Sequence, residues 1–269
     1  MKFCLLIAAS VTTLASVASA QLDIDFGQYG ANVDLNGQPL SGSPNWTVSD
    51  AKTFIGYTYP VGGDYWGALG GYYDAPTNDV TTLSHPVNLT MSEPRRLFSE
   101  FFILSSEATD AITGLSFPNR DTFGFSFTSG AGSLLDLRFV PDTSPGNENL
   151  FNIFWGTNGS ATTSSGWALY DDSTYNFNVD FAPDGADLNF VVTLSGTNTF
   201  SFNGTLPGQA SQTWDTFDVV WELSNSGDAG SNAILLQGVS TVPEPSSAMG
   251  SLLAGMMGLS VATRRRRRA

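Results

Sequence analysis

Tyr175-Asn176-Phe177-Asn178-Val179-Asp180-Phe181 alternates large apolar residues with short polar ones. Successive side chains of an extended chain point to opposite faces, so Tyr175, Phe177, Val179 and Phe181 share one face while Asn176, Asn178 and Asp180 share the other. This is a strand with one face buried and one in water. The same period recurs on either side of it. Downstream, Leu188, Phe190, Val192 and Leu194 fall on one face of the next run, Phe200 and Phe202 on one face of the run after, and Phe217, Val219 and Trp221 near the end. Upstream, Phe123, Phe125 and Phe127 alternate with Gly124, Ser126 and Thr128. Leu135, Leu137 and Phe139 do the same, with Asp136 and Arg138 placed outward and near enough to pair.

Turn residues separate these runs. Asp184-Gly185 lies between the Tyr175 and Leu188 runs, Ser195-Gly196-Thr197-Asn198 follows Leu194, and Asn203-Gly204 is read as ending the next run. Gly and Asn supply the positive φ that tight hairpins need, so the runs read as hairpins in series. No stretch of ten or more residues in the body repeats at 3.6; Ser105 to Thr113 comes nearest and is rich in Ser and Thr. About a dozen strands of this kind specify an all-β sandwich or barrel. Two features favour the sandwich. Leu22, Ile24 and Phe26 open the body and Ile234, Leu236 and Val239 close it, which suits terminal strands lying side by side in one sheet. Leu97 to Leu104 reads as apolar on both faces, as in the inner layers of a sandwich. The expected fold is an antiparallel jelly-roll β-sandwich over residues 21–241. Within it Asn119 to Phe125, Tyr175 to Phe181 with Asp184-Gly185, and Trp214-Asp215-Thr216-Phe217-Asp218 are similar to concanavalin-A-like, lectin-type sandwiches, a resemblance that spans the whole body.

The two ends are of another kind. Met1-Lys2, the apolar Phe3 to Leu14 and the small-residue site Ala18-Ser19-Ala20 have the order of a signal peptide, residues 1–20, read by the secretion machinery and cut by signal peptidase to leave Gln21 first. Residues 242–269 carry Pro243-Glu244-Pro245, an apolar segment at 247–263, and then Arg264, Arg265, Arg266, Arg267 and Arg268. Arginine clusters resist translocation and act as the cytoplasmic stop, which puts the body on the far side of the membrane. As a transmembrane helix, 247–263 would span about 25 Å against a hydrocarbon core of about 30 Å, a short anchor loosened by Gly250, Gly255 and Gly258. Tripeptide, helix and arginine cluster, in that order, resemble the PEP-CTERM sorting signal of Gram-negative bacteria. The resemblance implies cleavage by an exosortase-type membrane protease in cells that make exopolysaccharide.

Between the ends, residues 21–241 hold five Lys and Arg against 24 acids, a formal charge of −19. Such a surface repels phosphate backbones and excludes nucleic acid as a partner. The sole cysteine, Cys4, leaves with the signal peptide, so the exported body is stabilised by its core and not by disulfides. The residues for most site chemistries are missing. Gly-x-Ser-x-Gly is absent, zinc has too few His and Cys, and the single histidine, His85, precedes Pro86 in what reads as an exposed loop. A retaining or inverting glycosidase needs two facing carboxylates. Here Asp23 and Asp25 share an outer strand face, and Asp218 and Glu222 lie on the polar side of one strand. Calcium asks only for oxygen ligands, and Asp180, Asp184, Asp187 and Asn189, with Asp171-Asp172 upstream, cluster near a turn without the spacing of an EF-hand.

One segment could hold a sugar. Tyr57, Tyr59, Tyr65, Trp66, Tyr72 and Tyr73 are spaced by glycines, and such rings can stack on sugar faces while neighbouring polar groups bond the hydroxyls. The plainer reading is two strands joined by a Gly63-Asp64 turn, with at least half of the rings pointing inward. These readings predict a non-catalytic protein without a cofactor, exported, transiently anchored in the inner membrane, then placed at the cell surface or in the extracellular matrix with exopolysaccharide. A secreted glycan hydrolase and a purely structural or adhesive envelope protein are the alternatives.

Overall fold

The computed structural model describes residues 23–26, 46–49, 56–71, 80–104, 120–130, 132–144, 146–147, 149–157, 159–222 and 232–243. They form two antiparallel sheets. In the first, the order is β13 (Thr199–Leu206), β12 (Asp187–Ser195), β11 (Thr174–Asp184), β6 (Arg95–Leu104), β15 (Asn232–Pro243), β4 (Asp64–Gly71) and β3 (Gly56–Val61). The eighth strand, β1 (Asp23–Asp25), lies on the same side of β15 as β4 but further along it: Leu236 and the residues before it pair with β4, and Gly238 to Ser240 pair with β1. In the second sheet, the order is β10 (Ser160–Tyr170), β9 (Leu150–Thr157), β8 (Gly132–Pro141), β7 (Thr122–Ser129), β14 (Thr213–Glu222), β5 (Val80–Thr90) and β2 (Thr47–Val48). The fold is an antiparallel jelly-roll β-sandwich, and no helix long and apolar enough to cross a membrane occurs among the described residues. The signal peptide, the Ser105 to Thr113 stretch and the 247–263 segment lie outside the described residues.

The alternation in the sequence becomes the interior. Tyr175, Phe177, Val179 and Phe181 are all buried, with half-buried residues between them. They meet an aromatic layer from both sheets: Phe101 stacks on Phe139 at 5.2 Å and stands edge-on to Phe125 at 5.5 Å, and Phe125 lies 5.2 Å from Phe177. Burying rings of this size is the main favourable term for a disulfide-free domain. The terminal strands are neighbours, as the sequence suggests, with Ile24 opposite Val239. Asp184 and Asp187 close the β11–β12 hairpin around Gly185, whose φ is +63°.

Four local readings change. Asn203-Gly204 is not a turn: Gly204 lies inside β13 opposite Phe190, where a Cβ would come within 2.6 Å of the Phe190 ring and 2.7 Å of Trp155. The glycine makes room for packing, and the chain turns instead after Leu206, where Gly208 has φ +71°. His85 is not an exposed loop residue; it is 1% exposed in the middle of β5, edge-on to Trp46 at 4.8 Å. Pro86 beside it gives up one ladder donor, and among the described residues β2 pairs with β5 only at Leu83 and Ser84. Leu97 to Leu104 is apolar on both faces only from Phe101 on, where Phe102 and Leu104 pack on the outer side against the cluster around Trp66. Leu97, Phe101 and Ile103 face the core, whereas Phe98 is 39% exposed and Glu100 half-buried on the outside. Finally, Asp136 and Arg138 do pair, at 3.5 Å, but Asp136 is only 1% exposed.

Candidate functional site

The aromatic segment folds as the β3–β4 hairpin. Its turn is centred on Gly62 and Gly63, at φ +60° and +98°, rather than on Gly63-Asp64, because both turn positions need the left-handed backbone that glycine adopts without strain. Thr58 and Leu69 are fully buried, and at Gly67 a Cβ would fall 2.5 Å from the Phe26 ring, so this side of the hairpin packs on the core. Tyr59 and Trp66 are register partners and project together on the opposite side. Tyr59 is 40% exposed, whereas Trp66 is covered and joins Ala68, Ala233 and Leu235 in a second apolar cluster flanked by Val61, Phe102 and Leu104. Tyr65 is half-buried. The side chain of Tyr57, and Tyr72 and Tyr73 altogether, lie outside the described residues. Of the expected platform the structure thus brings together Tyr59 and Trp66. It also adds a contact that nothing in the sequence signals: Gln237 Nε2 donates to Asp64 Oδ2 at 3.2 Å from a bulge in β15.

The outer face of the seven-stranded sheet carries a different set of groups. Ser84, Asp218, Ser126, Asp136 and Gly156 are successive register partners across β5, β14, β7, β8 and β9, which sets a polar row across five strands. Ser126 Oγ donates to Asp136 Oδ1 at 2.7 Å, and the Gly159 amide donates to Oδ2 at 2.8 Å. One strand position on, Arg138 Nε donates to Glu222 Oε1 at 2.8 Å, and its side chain lies across Gly124, where a Cβ would come 3.0 Å from its Cδ. Thr128 and Thr216 hydroxyls bond each other beside the row. Burial pushes the Asp218 carboxyl above its ordinary range, against the opposing pull of bonds to Ser84 and Thr216. Of the two acids that suggested a hydrolase on this strand, Glu222 is bonded to Arg138 and Asp218 sits in the row.

The acids near the β11–β12 turn have protein partners. Arg96 holds Asp180 through two nitrogens, the Gly208 amide donates to Asp187 at 2.8 Å, and Asn189 Nδ2 donates to Asp184 at 3.4 Å. Among the described residues no group of three or more His, Cys, Asp or Glu is arranged to hold a metal ion.

The closing strand runs into the sorting tripeptide. Thr241 pairs with Leu97, Val242 with Arg96 and Pro243 with Arg95, so the first proline is the last residue of β15. Glu244, Pro245, the arginine cluster 264–268 and Ala18 and Ala20 lie outside the described residues.

Comparison with known proteins agrees with both parts of the chain. The PEP-CTERM protein-sorting motif matches residues 241–267. No curated protein matches the chain in sequence. Among solved structures, it is similar to the CBM2 module of the evolved Dit of Lactobacillus casei BL23 phage J-1, at 14% identity and TM-score 0.50, over 83% of this chain and 96% of that one. It is also similar to the catalytic domain of a glycoside hydrolase family 131 protein from Coprinopsis cinerea, at 13% identity and TM-score 0.51, over 82% and 93%. A third is lectin I of Ulex europaeus in complex with the methyl glycoside of α-L-fucose, at 12% identity and TM-score 0.50, over 83% and 98%. Identities this low establish the shared sandwich and nothing finer. The chain is therefore a lectin-like β-sandwich with a C-terminal sorting signal, the mark of an exported protein.

Proposed function

We propose that this protein is a non-catalytic surface or extracellular-matrix component, freed from its tail by an exosortase-type membrane protease and held in exopolysaccharide through its sandwich. The observation that carries the reading is the attachment of a sorting motif at 241–267 to a lectin-like body with no intervening segment, since β15 itself ends at Pro243. A strand lying between β6 and β4 is held by pairing on both sides over part of its length, so the body stays intact when cleavage removes the tail beyond it. The charge of −19 keeps an exported domain soluble and apart from its own copies. An uncharged or weakly charged polysaccharide is a polymer that this surface does not repel.

Fractionation of cells carrying wild-type or Glu244→Ala protein tests the processing. The expected result is wild-type protein outside the inner membrane and shorter by its tail, and variant protein retained in that membrane with its tail attached because Arg264 to Arg268 still stop transfer. Equal size and location for the two would leave the tail a plain anchor.

A further inference from the structure

We propose that the outer face of the eight-stranded sheet holds a binding groove for a neutral polysaccharide segment, with Phe98 as its stacking surface and Asp25, Glu100 and Gln237 as its hydrogen-bonding groups. The inference rests on the glycan-associated reading above and gives it a site. A groove of about 170 Å³ is lined by Asp25, Phe98, Glu100, Gln237, Gly238 and Ser240 together with Val239. Its shape follows from register. Asp25, Gly238 and Glu100 are successive partners across β1, β15 and β6, and the middle one has no side chain, so the floor between the two carboxylates is bare backbone. Their Cα atoms lie two strand spacings apart, roughly 10 Å. The bulge at Gln237 closes one end, turning that amide toward Asp64 on β4.

Phe98 occupies the adjoining row. Exposed to 39%, it is flanked by Ser240 on one side and Asn178 on the other, and the row continues through Thr193 to Ser201 at the sheet edge. Glu100 leads in the same way through Asn176 to Ser195. An aromatic face open to water among short amides and hydroxyls matches the two sides of a pyranose, whose C–H face stacks on a ring while its hydroxyls donate to carboxylates and exchange bonds with amides. Charge selects among occupants. A second copy of this chain would bring another −19 and another pair of carboxylates to the same place, and a polyanion would meet the same repulsion. A neutral glycan meets none.

The test uses full-length protein in non-ionic detergent on an array of neutral hexose oligosaccharides, with Phe98→Ala, Phe98→Trp, Glu100→Gln and Tyr59→Ala variants. Wild type is expected to bind at least one neutral glycan. Phe98→Ala and Glu100→Gln should each weaken that binding about tenfold, the factor equivalent to 1.4 kcal/mol. Phe98→Trp should retain it, which separates loss of stacking from loss of fold, and Tyr59→Ala should leave it unchanged. Binding that persists in Phe98→Ala and Glu100→Gln overturns this groove while the glycan-associated reading stands. Binding to no neutral glycan by wild type overturns both, and loss in Tyr59→Ala alone moves the site to the hairpin.

Discussion

The two sheets enclose one core but present opposite exteriors. On the seven-stranded sheet, polar side chains bond one another: Asp136 takes Ser126 and Gly159, Arg138 takes Glu222, and Thr128 takes Thr216. Several of these groups are nearly inaccessible, Asp136 at 1% and Asp218 at 8% exposed. On the eight-stranded sheet Arg96 and Asp180 pair as well, but an apolar cluster around Trp66 gives way to open ground where Phe98 faces water beside Asp25, Glu100 and Gln237. Charge buried among its own partners holds strands in register, whereas charge beside an exposed ring and a bare glycine floor can serve a ligand.

The sharpest way to break this comparison is to cross the eight-stranded sheet from inside to outside. Phe177→Ala should cost about 3–5 kcal/mol, because the ring is 1% exposed and lies against Phe101 and Phe125. Asn178→Ala, one residue away on the outer side, should cost under about 1 kcal/mol. Equal losses in denaturant melts would mean that the faces are misassigned. Next in size is Asp136→Ala on the other sheet, expected to cost about 3 kcal/mol, since it leaves Arg138 and the Ser126 hydroxyl without this carboxylate in a covered place. A loss within about 0.5 kcal/mol would show the polar row to be as open as the opposite face.

The smallest effect is the most specific. Burial raises the Asp218 carboxyl above 3.8, so the folded protein holds this proton more tightly than the unfolded chain. Between the two values unfolding releases a proton, and stability falls as pH rises; above both, a constant penalty remains. Asp218→Asn should therefore stabilise the protein at neutral pH. That advantage should shrink toward zero as pH drops through the acid range, in thermal melts taken across pH. A gain independent of pH would separate Asp218 from the titration.

What the sequence determined by itself was every feature that depends on one strand at a time. Alternation of period two assigns the inner residues of β11, β12 and β7, Asp184-Gly185 names its hairpin, and the motif at 243–245 with its arginines names the tail, because each signal is local to a few consecutive residues. The tertiary structure decided what depends on which strands meet. Gly204 reads as a turn until Phe190 and Trp155 are seen to need its missing Cβ, and His85 reads as a loop residue until β5 is placed beside β14 with Trp46 against it. Asp25, Gly238 and Glu100 come from the beginning, the end and the middle of the chain, and only pairing of β1, β15 and β6 in one register puts two carboxylates on either side of a glycine. Period two says which face a residue takes wherever no bulge interrupts the strand; the neighbour across the sheet is chosen by the packing of the whole core, over separations no local pattern spans.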